Sequence, residues 1–362
     1  MRMNIGRDDL LDAVAWTARA LSARPSVPVL SGLLLEAGDG LRLSAYDYDT
    51  SRSATASAVV AEPGKVLLSG RVLSEIVKSL PAGIVDLSLN GHEVTIRSGR
   101  AEFALPTMHV DDYPTLPALP EPTGTVDAAV LAAGVARVVP ATTNDDTVPI
   151  LTGVRADFGD DTVTLTATDR YRIASTTIPW AATQPGTEAG AMIPARHLGD
   201  ITKSLRGSAT VAISDGLAAI SGQGRTTTLR LLDPQFIDYK SRLGTDGYTI
   251  WAEADVAPLI EAVKRVALVA ERNTPVRLAF TPGEVLVRAG SGDIGRGAET
   301  VPADVDGAGI EIAFQPTFLL DGLAGVPGSR ARIGMATPSK PALITPDGEE
   351  PYRYLVMPLR IS

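Results

Sequence analysis

The chain has 362 residues, 44% hydrophobic and 21% charged, with a formal net charge of −9 and no cysteine. That length accommodates two or three packed domains. The missing thiols exclude a disulfide framework, a thiolate metal site and a thiol nucleophile, and His92, His109 and His197 are too scattered to suggest a metal centre. No apolar run reaches bilayer length, and residues 1–7 lead towards a polar helix without a secretory apolar core, so a cytoplasmic location with no membrane contact is expected.

In chain order, apolar positions spaced by three and four predict a helix over 7–21, with Leu10, Leu11, Val14, Ala18 and Leu21 on one face. A strand pair follows at 32–36 and 41–45, with further strands near 55–60 and 66–69. A short helix over 71–80 aligns Leu73, Ile76 and Leu80. Strands at 85–89 and 93–97 flank Asn90-Gly91, the strongest short-range hairpin signal, and 103–105 is one more strand. The proline-rich stretch 115–122 reads as a linker.

The order then restarts. A helix is predicted over 127–138, strands at 153–157 and 162–167, a short helix over 196–205, and a hairpin at 210–213 and 217–221 followed by 226–231. It restarts again after 244–247, with a helix over 253–272, strands at 276–280 and 284–288, and a short helix over 316–323. The lead-ins Leu68-Ser69-Gly70-Arg71, Ile193-Pro194-Ala195-Arg196 and Phe314-Gln315-Pro316-Thr317 are spaced alike. Three copies of one α+β unit, each with two helices and antiparallel sheets, are therefore expected at 1–119, 120–244 and 245–362. Open sheet edges on each unit would invite pairing, and closure into a ring removes them.

Catalytic signatures are scarce. There is no glycine-rich phosphate loop, nucleophile elbow or H-E-x-x-H run. Asp145, Asp146 and Asp169 are the suggestive carboxylates, and a carboxylate-dependent nuclease or hydrolase is the alternative they leave open. The last stretch, 354–362, is apolar and strand-like. Such a terminus is expected to dock, either as a core strand or as part of a binding groove. Net charge alone argues against nucleic acid, although an acidic exterior can coexist with one basic face.

Three motifs, Ala23-Arg24-Pro25-Ser26-Val27-Pro28-Val29-Leu30, Ala167-Thr168-Asp169-Arg170-Tyr171-Arg172-Ile173-Ala174 and Tyr354-Leu355-Val356-Met357-Pro358-Leu359-Arg360, together resemble the bacterial DNA sliding clamp, the β subunit of DNA polymerase III. The likeness covers the whole chain, and 263–278 looks most like clamps of high-GC Gram-positive bacteria. The resemblance implies a ring-shaped homodimer of repeated clamp domains that encircles duplex DNA, uses no cofactor and catalyses nothing. It implies that Arg24, Arg71, Arg196, Lys203 and Lys264 contact phosphates without reading sequence. Leu268 and Val269 match the family's dimer contact, and Phe103 and Leu105 match the facing strand.

The resemblance also implies a partner groove between the second and third domains. It takes short apolar peptides from the polymerase α subunit, the clamp loader and repair polymerases. Carried over position by position, its wall is Leu151, Thr168, Arg170, Tyr171, Arg172, Ile173, Ile237, Arg242, Phe318, Ser339, Pro341, Leu355, Met357, Pro358 and Leu359. The loop 236–244 departs from the family pattern. Ile237 stands where proline is usual, Arg242 where a small apolar residue is usual, and Gly244 where proline often ends the loop. A proline lost at 237 restores an N–H and frees φ. The departures suggest a variant groove that keeps its peptides but disfavours a competing ligand such as a peptide antibiotic, a form of self-resistance. The match at Pro149 and Ile150 is also poor, because aromatic DNA contacts found in some relatives are missing there.

Overall fold

A computed structural model describes residues 1–22, 24–214, 216–270, 274–290 and 295–360. The repeated order of elements is present, with helices α1 (Arg7–Thr17), α2 (Gly70–Ser79), α3 (Ala128–Val138), α4 (Ala195–Ser204), α5 (Val256–Ala267) and α6 (Pro316–Ala324). Each helix forms because one face is apolar. In α2, Leu73, Ile76 and Val77 are buried while Arg71 and Lys78 face solvent. In α5, Leu259, Ala262, Val263 and Val266 do the same. Burying each Leu or Val contributes about 1.5–3 kcal/mol.

Three boundaries differ from expectation. Residues Arg2–Gly6 form a strand between Ala58–Glu62 and Ile84–Asn90, where only a polar lead-in was expected. Met3 and Ile5 alternate inward, too short a pattern to stand out in sequence. The helix expected over 7–21 ends at Thr17 and tightens into a 3₁₀ turn, Ala18–Ala20. The helix expected over 253–272 begins at Val256, because Ile250–Asp255 is a strand with Ile250, Ala252 and Ala254 buried at alternate positions. Its expected end at 271–272 lies outside the described residues.

The chain divides into two compact units, Met1–Thr125 with Leu205–Leu231, and Val126–Ser204 with Leu232–Ser362. In the first unit, a sheet runs from Gly64–Ser69 through Gly32–Ala37, Leu41–Tyr46 and Thr50–Ala56 onto Arg225–Arg230. The last step joins the first repeat to the second, edge to edge. Ser51 and Thr228 share a hydroxyl–hydroxyl hydrogen bond of 2.6 Å across it. Trp16 of α1 lies against two guanidinium groups of that seam, Arg52 at 4.4 Å and Arg225 at 5.2 Å.

The second unit repeats the device. Arg172–Pro179 pairs antiparallel with Tyr352–Val356, so one sheet of 12 strands spans the second and third repeats. Here α6 lies close to the terminal strand. A Cβ on Gly322 would stand 2.5 Å from the Tyr354 ring, so only glycine admits this approach. The Tyr354 and Tyr352 hydroxyls donate to the carbonyls of Phe318 (2.8 Å) and Gly322 (2.9 Å).

One backbone hydrogen bond marks the same place in all three repeats. After its closing strand, each repeat returns an amide to a neighbouring strand: Met108 to Leu67 (2.9 Å), Leu232 to Met192 (2.9 Å) and Leu359 to Ala313 (2.8 Å). A second mark is shared by the first two. Asp47 and Asp169 each use Oδ1 to accept from the amides two and three residues on. The residue between, Tyr48 (φ 75°) or Arg170 (φ 80°), takes the left-handed backbone usually left to glycine or asparagine. The carboxylate satisfies the turn's amides and holds that strained conformation.

Candidate functional site

The Asp169 turn begins the groove. Thr168 Oγ1 accepts from Arg170 N (3.2 Å) and donates to Arg172 O (2.7 Å), which locks the reversal of the chain. Tyr171 is thereby presented with 61% of its surface exposed, stacked on Phe318 of α6 at 6.3 Å between centroids. Arg172 runs beneath them. It is buried and donates to Asp169 (2.8 Å), Asp321 (2.6 Å), Tyr354 (3.3 Å) and the Pro140 carbonyl, with its guanidinium 4.2 Å over the Phe318 ring. Burial alone would lower the Arg172 pKa, but Tyr354, Asp321 and Asp169 outweigh it and hold the group above its usual value. Arg172 therefore lies under the wall and supports Phe318 rather than forming the surface.

The terminal strand supplies the other side. Met357 N donates to Tyr171 O (2.8 Å), leaving Met357 and Leu359 about two-fifths exposed beside the Tyr171–Phe318 pair. Further along the seam, Ile173 pairs with Leu355, and both join an apolar cluster with Tyr239, Leu243, Leu343, Phe236, Tyr248 and Trp251. Sequence reasoning did not include Tyr239, Leu243 or the Asp321 support. The aromatic content of 236–251 was the available signal.

Other expected wall positions lie apart or deeper. Leu151 is buried in the 3₁₀ turn Pro149–Thr152, and Thr168 is buried in its turn. Ser339 is exposed and Pro341 partly buried before the strand Ala342–Pro346, and Pro358 is partly buried between Met357 and Leu359. Ile237, 40% exposed, lines a separate cleft of about 290 Å³ with Arg155, Asp157, Pro234 and Tyr239. Arg242 is exposed in the 3₁₀ turn Lys240–Arg242. The Tyr239 hydroxyl donates to Asp157 (2.7 Å), and burial together with that bond pushes its pKa up to about 12.

The expected DNA contacts are exposed cations. Arg24 sits before the 3₁₀ turn Pro28–Ser31, Arg71 on α2, Arg196 and Lys203 on α4, and Lys264 on α5. Arg71 lies 3.7 Å from Glu75 and Lys264 3.0 Å from Glu261. Exposed pairs of this kind contribute little and yield readily to a phosphate. At the expected dimer contact, Leu268 is 82% exposed just past α5, and Val269 and Phe103 are half-buried. Leu105 is buried within its own sheet, so its side chain faces inward.

The family models for the DNA polymerase III beta subunit match residues 1–117 (N-terminal domain), 125–238 (central domain) and 246–360 (C-terminal domain). The β sliding clamp of Streptomyces coelicolor is 44% identical over the full length of both chains. The chain belongs to the β sliding clamp family. That relative is from a high-GC Gram-positive organism, the group indicated by 263–278. The β sliding clamp homolog GriR of Streptomyces muensis is 37% identical, with 99% of each chain covered. Among solved structures, the Bacillus subtilis clamp superposes with a TM-score of 0.94 at 27% identity over the whole of both chains. A Pseudomonas aeruginosa clamp bound to griselimycin superposes at 0.92 with 25% identity, again over both whole chains. The family is a non-catalytic processivity subunit.

The hydrolase alternative is corrected accordingly. Asp169 is committed to its turn and to Arg172. Asp145 accepts from the amide and hydroxyl of Thr147, which hold its carboxyl below the usual range, and Asp146 is exposed in the same loop. Among the described residues, no cluster of three carboxylate or histidine groups could hold a metal ion. Among them, too, no helix is long and apolar enough to cross a membrane.

Proposed function

We propose that this chain is a DNA polymerase processivity clamp, with domains 1–119, 120–244 and 245–362, whose partners dock at the groove built on Tyr171, Phe318, Ile173, Leu355, Met357 and Leu359. The observation that carries the reading is the tie from Met357 N to Tyr171 O, which brings the terminal strand against an exposed aromatic pair. A narrow apolar surface with aromatic anchors suits a short apolar peptide, and few residues would carry most of the affinity. The partners are the polymerase α subunit, the clamp loader and repair polymerases.

Ring closure follows from edge complementarity. In both seams within the chain, the closing strand of one repeat pairs with a strand of another. Among the described residues, the counterparts of those paired strands that have no strand beside them are the outer edge of Ala101–Pro106, the closing strand of the first repeat, and the 297–302 half of Gly297–Asp306. Pairing these edges head to tail between two copies makes a homodimer with Phe103 and Leu268 near the junction, and it removes both of these free edges. The exposed cations at Arg24, Arg71, Arg196, Lys203 and Lys264 then serve duplex phosphates.

The test is a calorimetric titration with a short clamp-binding peptide from the replicative polymerase of the same cell. Binding at micromolar affinity or tighter, lost on deleting residues 359–362, is the expected result. Absence of binding would overturn the groove assignment. A finer reading concerns Ile237, Arg242 and Gly244. A clamp of this fold has been solved with griselimycin bound, so such a ring meets ligands other than its protein partners. We read the altered loop, whose cleft adjoins the groove through Tyr239 in the Ile173–Leu355 cluster, as disfavouring an inhibitor of that kind while sparing natural peptides. Ile237→Pro with Arg242→Val should raise affinity for griselimycin at least tenfold, and unchanged affinity would sink the idea.

A further inference from the structure

The amide bond shared by the three repeats marks a position where the third repeat differs. Register makes Leu34, Arg155 and Arg277 equivalent, since they lie opposite Leu67, Met192 and Ala313, the carbonyls that accept that bond. On their other side they face Ser44, Thr166 and Arg288. In the first repeat, the segment after Met108 folds over this face and packs Tyr113 against Leu34. In the second, the segment after Leu232 does so. Arg155 donates to its Pro234 carbonyl (3.0 Å), and Tyr239 reaches Asp157.

In the third repeat, this face borders a cavity of about 440 Å³, lined by Arg277, Arg288, Arg296 and Gly290 among others, and bounded by Gly297 and Ala298 of the edge proposed to pair with a second copy. Among the described residues that line it, there is no covering segment of the kind seen in the first two repeats. Arg277 lies 3.9 Å from Glu311, and Arg288 contacts the same carboxylate. Two guanidinium groups share that one acid and Arg296 lines the same partly enclosed space, so among the described charged groups here cations outnumber acids. Val276, Leu278, Phe280, Val285 and Val287 are buried, and α5 packs on these strands. By strand alternation, Arg277 and Arg288 therefore point to the side opposite α5 and Lys264.

We propose that this face binds an extended peptide carrying a carboxylate, presented by a protein partner. The peptide lies over the strands as residues 108–113 and 232–239 do in the first two repeats. Arg277 takes a backbone carbonyl, as Arg155 takes that of Pro234, and Arg288 and Arg296 clamp the carboxylate. Charge complementarity and two covered copies of the same face favour a peptide. The preference for protein over duplex rests on the clamp reading, because the face lies on the side of its sheet opposite α5 and Lys264, a cation assigned to DNA. The site itself does not depend on that reading.

The probe is a fluorescent peptide with the sequence of residues 231–239, Leu-Leu-Asp-Pro-Gln-Phe-Ile-Asp-Tyr, titrated against the full chain by anisotropy. Saturable binding is expected, undisturbed by saturating polymerase peptide. It should weaken at least about tenfold in Arg277→Ser/Arg288→Ser, for the loss of charge-assisted contacts. It should weaken similarly when both aspartates of the probe become asparagine. Unchanged affinity for the polymerase peptide in that variant reports an intact fold. No saturable binding, indifference to the two substitutions, or displacement by a short duplex or by the polymerase peptide would overturn the proposal. Failure of the polymerase peptide with retention of this probe would count against the groove alone.

Discussion

Arg172 shows how one buried cation organises an exposed surface. Its four acceptors come from the turn, the 3₁₀ segment after α3, α6 and the terminal strand, so it joins the second and third repeats through one head group. Removing it leaves Asp169 without its ion pair at low exposure, and such losses cost about 3–5 kcal/mol. Arg172→Met should lower the urea midpoint by a matching amount and weaken polymerase-peptide binding as Phe318 loses its support. Tyr239 makes a pH prediction. Its hydroxyl is pushed up to about 12, against 10.0 for a free tyrosine. The unfolded chain therefore ionises first as pH rises. The stability Tyr239 provides is complete below pH 10 and is lost between about 10 and 12. Tyr239→Phe should flatten this alkaline decline in denaturation midpoints measured from pH 9 to 12. An unchanged slope would show that other groups cause it.

At the scale of elements, α6 and the terminal strand depend on a missing side chain. Gly322→Ala places a methyl group within the Tyr354 ring, and overpacking of this kind costs about 1–3 kcal/mol. A thermal melt should show the loss, together with weaker peptide binding, because Tyr354 also bonds Phe318 O. Much of this layer was legible in the sequence. The apolar faces of α2 and α5 and the Asn90-Gly91 hairpin gave direct signals, and Gly91 has the positive φ (61°) that the turn demands. The Arg2–Gly6 and Ile250–Asp255 strands were not legible, because their support lies in partners far along the chain. The candidate groove was half legible. Tyr171, Met357 and Leu359 stood in recognisable motifs. The burial of Arg172 and the placing of Ile237 in a different cleft are consequences of pairing that no local pattern carries.

At the scale of the whole molecule, the proposed dimer and its proposed hold on DNA can be separated by experiment. Among the described residues, Leu268, 82% exposed, is the large apolar side chain most out of place on a free monomer. Leu268→Lys should shift the protein from dimer to monomer in sedimentation at micromolar concentration while leaving polymerase-peptide affinity unchanged. A dimer that persisted would place the junction elsewhere. Retention on circular duplex should fall with ring opening. Replacing Arg24, Arg71, Arg196, Lys203 or Lys264 should instead reduce the salt slope of DNA binding by about one per charge removed. The net charge of −9 gave no hint of DNA, because the assigned cations sit among acids such as Glu75 and Glu261.

The bonds from Met108 to Leu67, Leu232 to Met192 and Leu359 to Ala313 use only main-chain atoms, and the side chains at the six positions share no more than apolar character. Ancestry recorded this way is silent in a comparison of letters. Duplicated units can drift until their residues no longer align, yet each still closes at the same carbonyl. Natural selection has one substitution to police at the three donor positions. Proline, lacking an N–H, would erase the bond outright, so the kinship of the three units constrains the gene by what it forbids rather than by what it keeps.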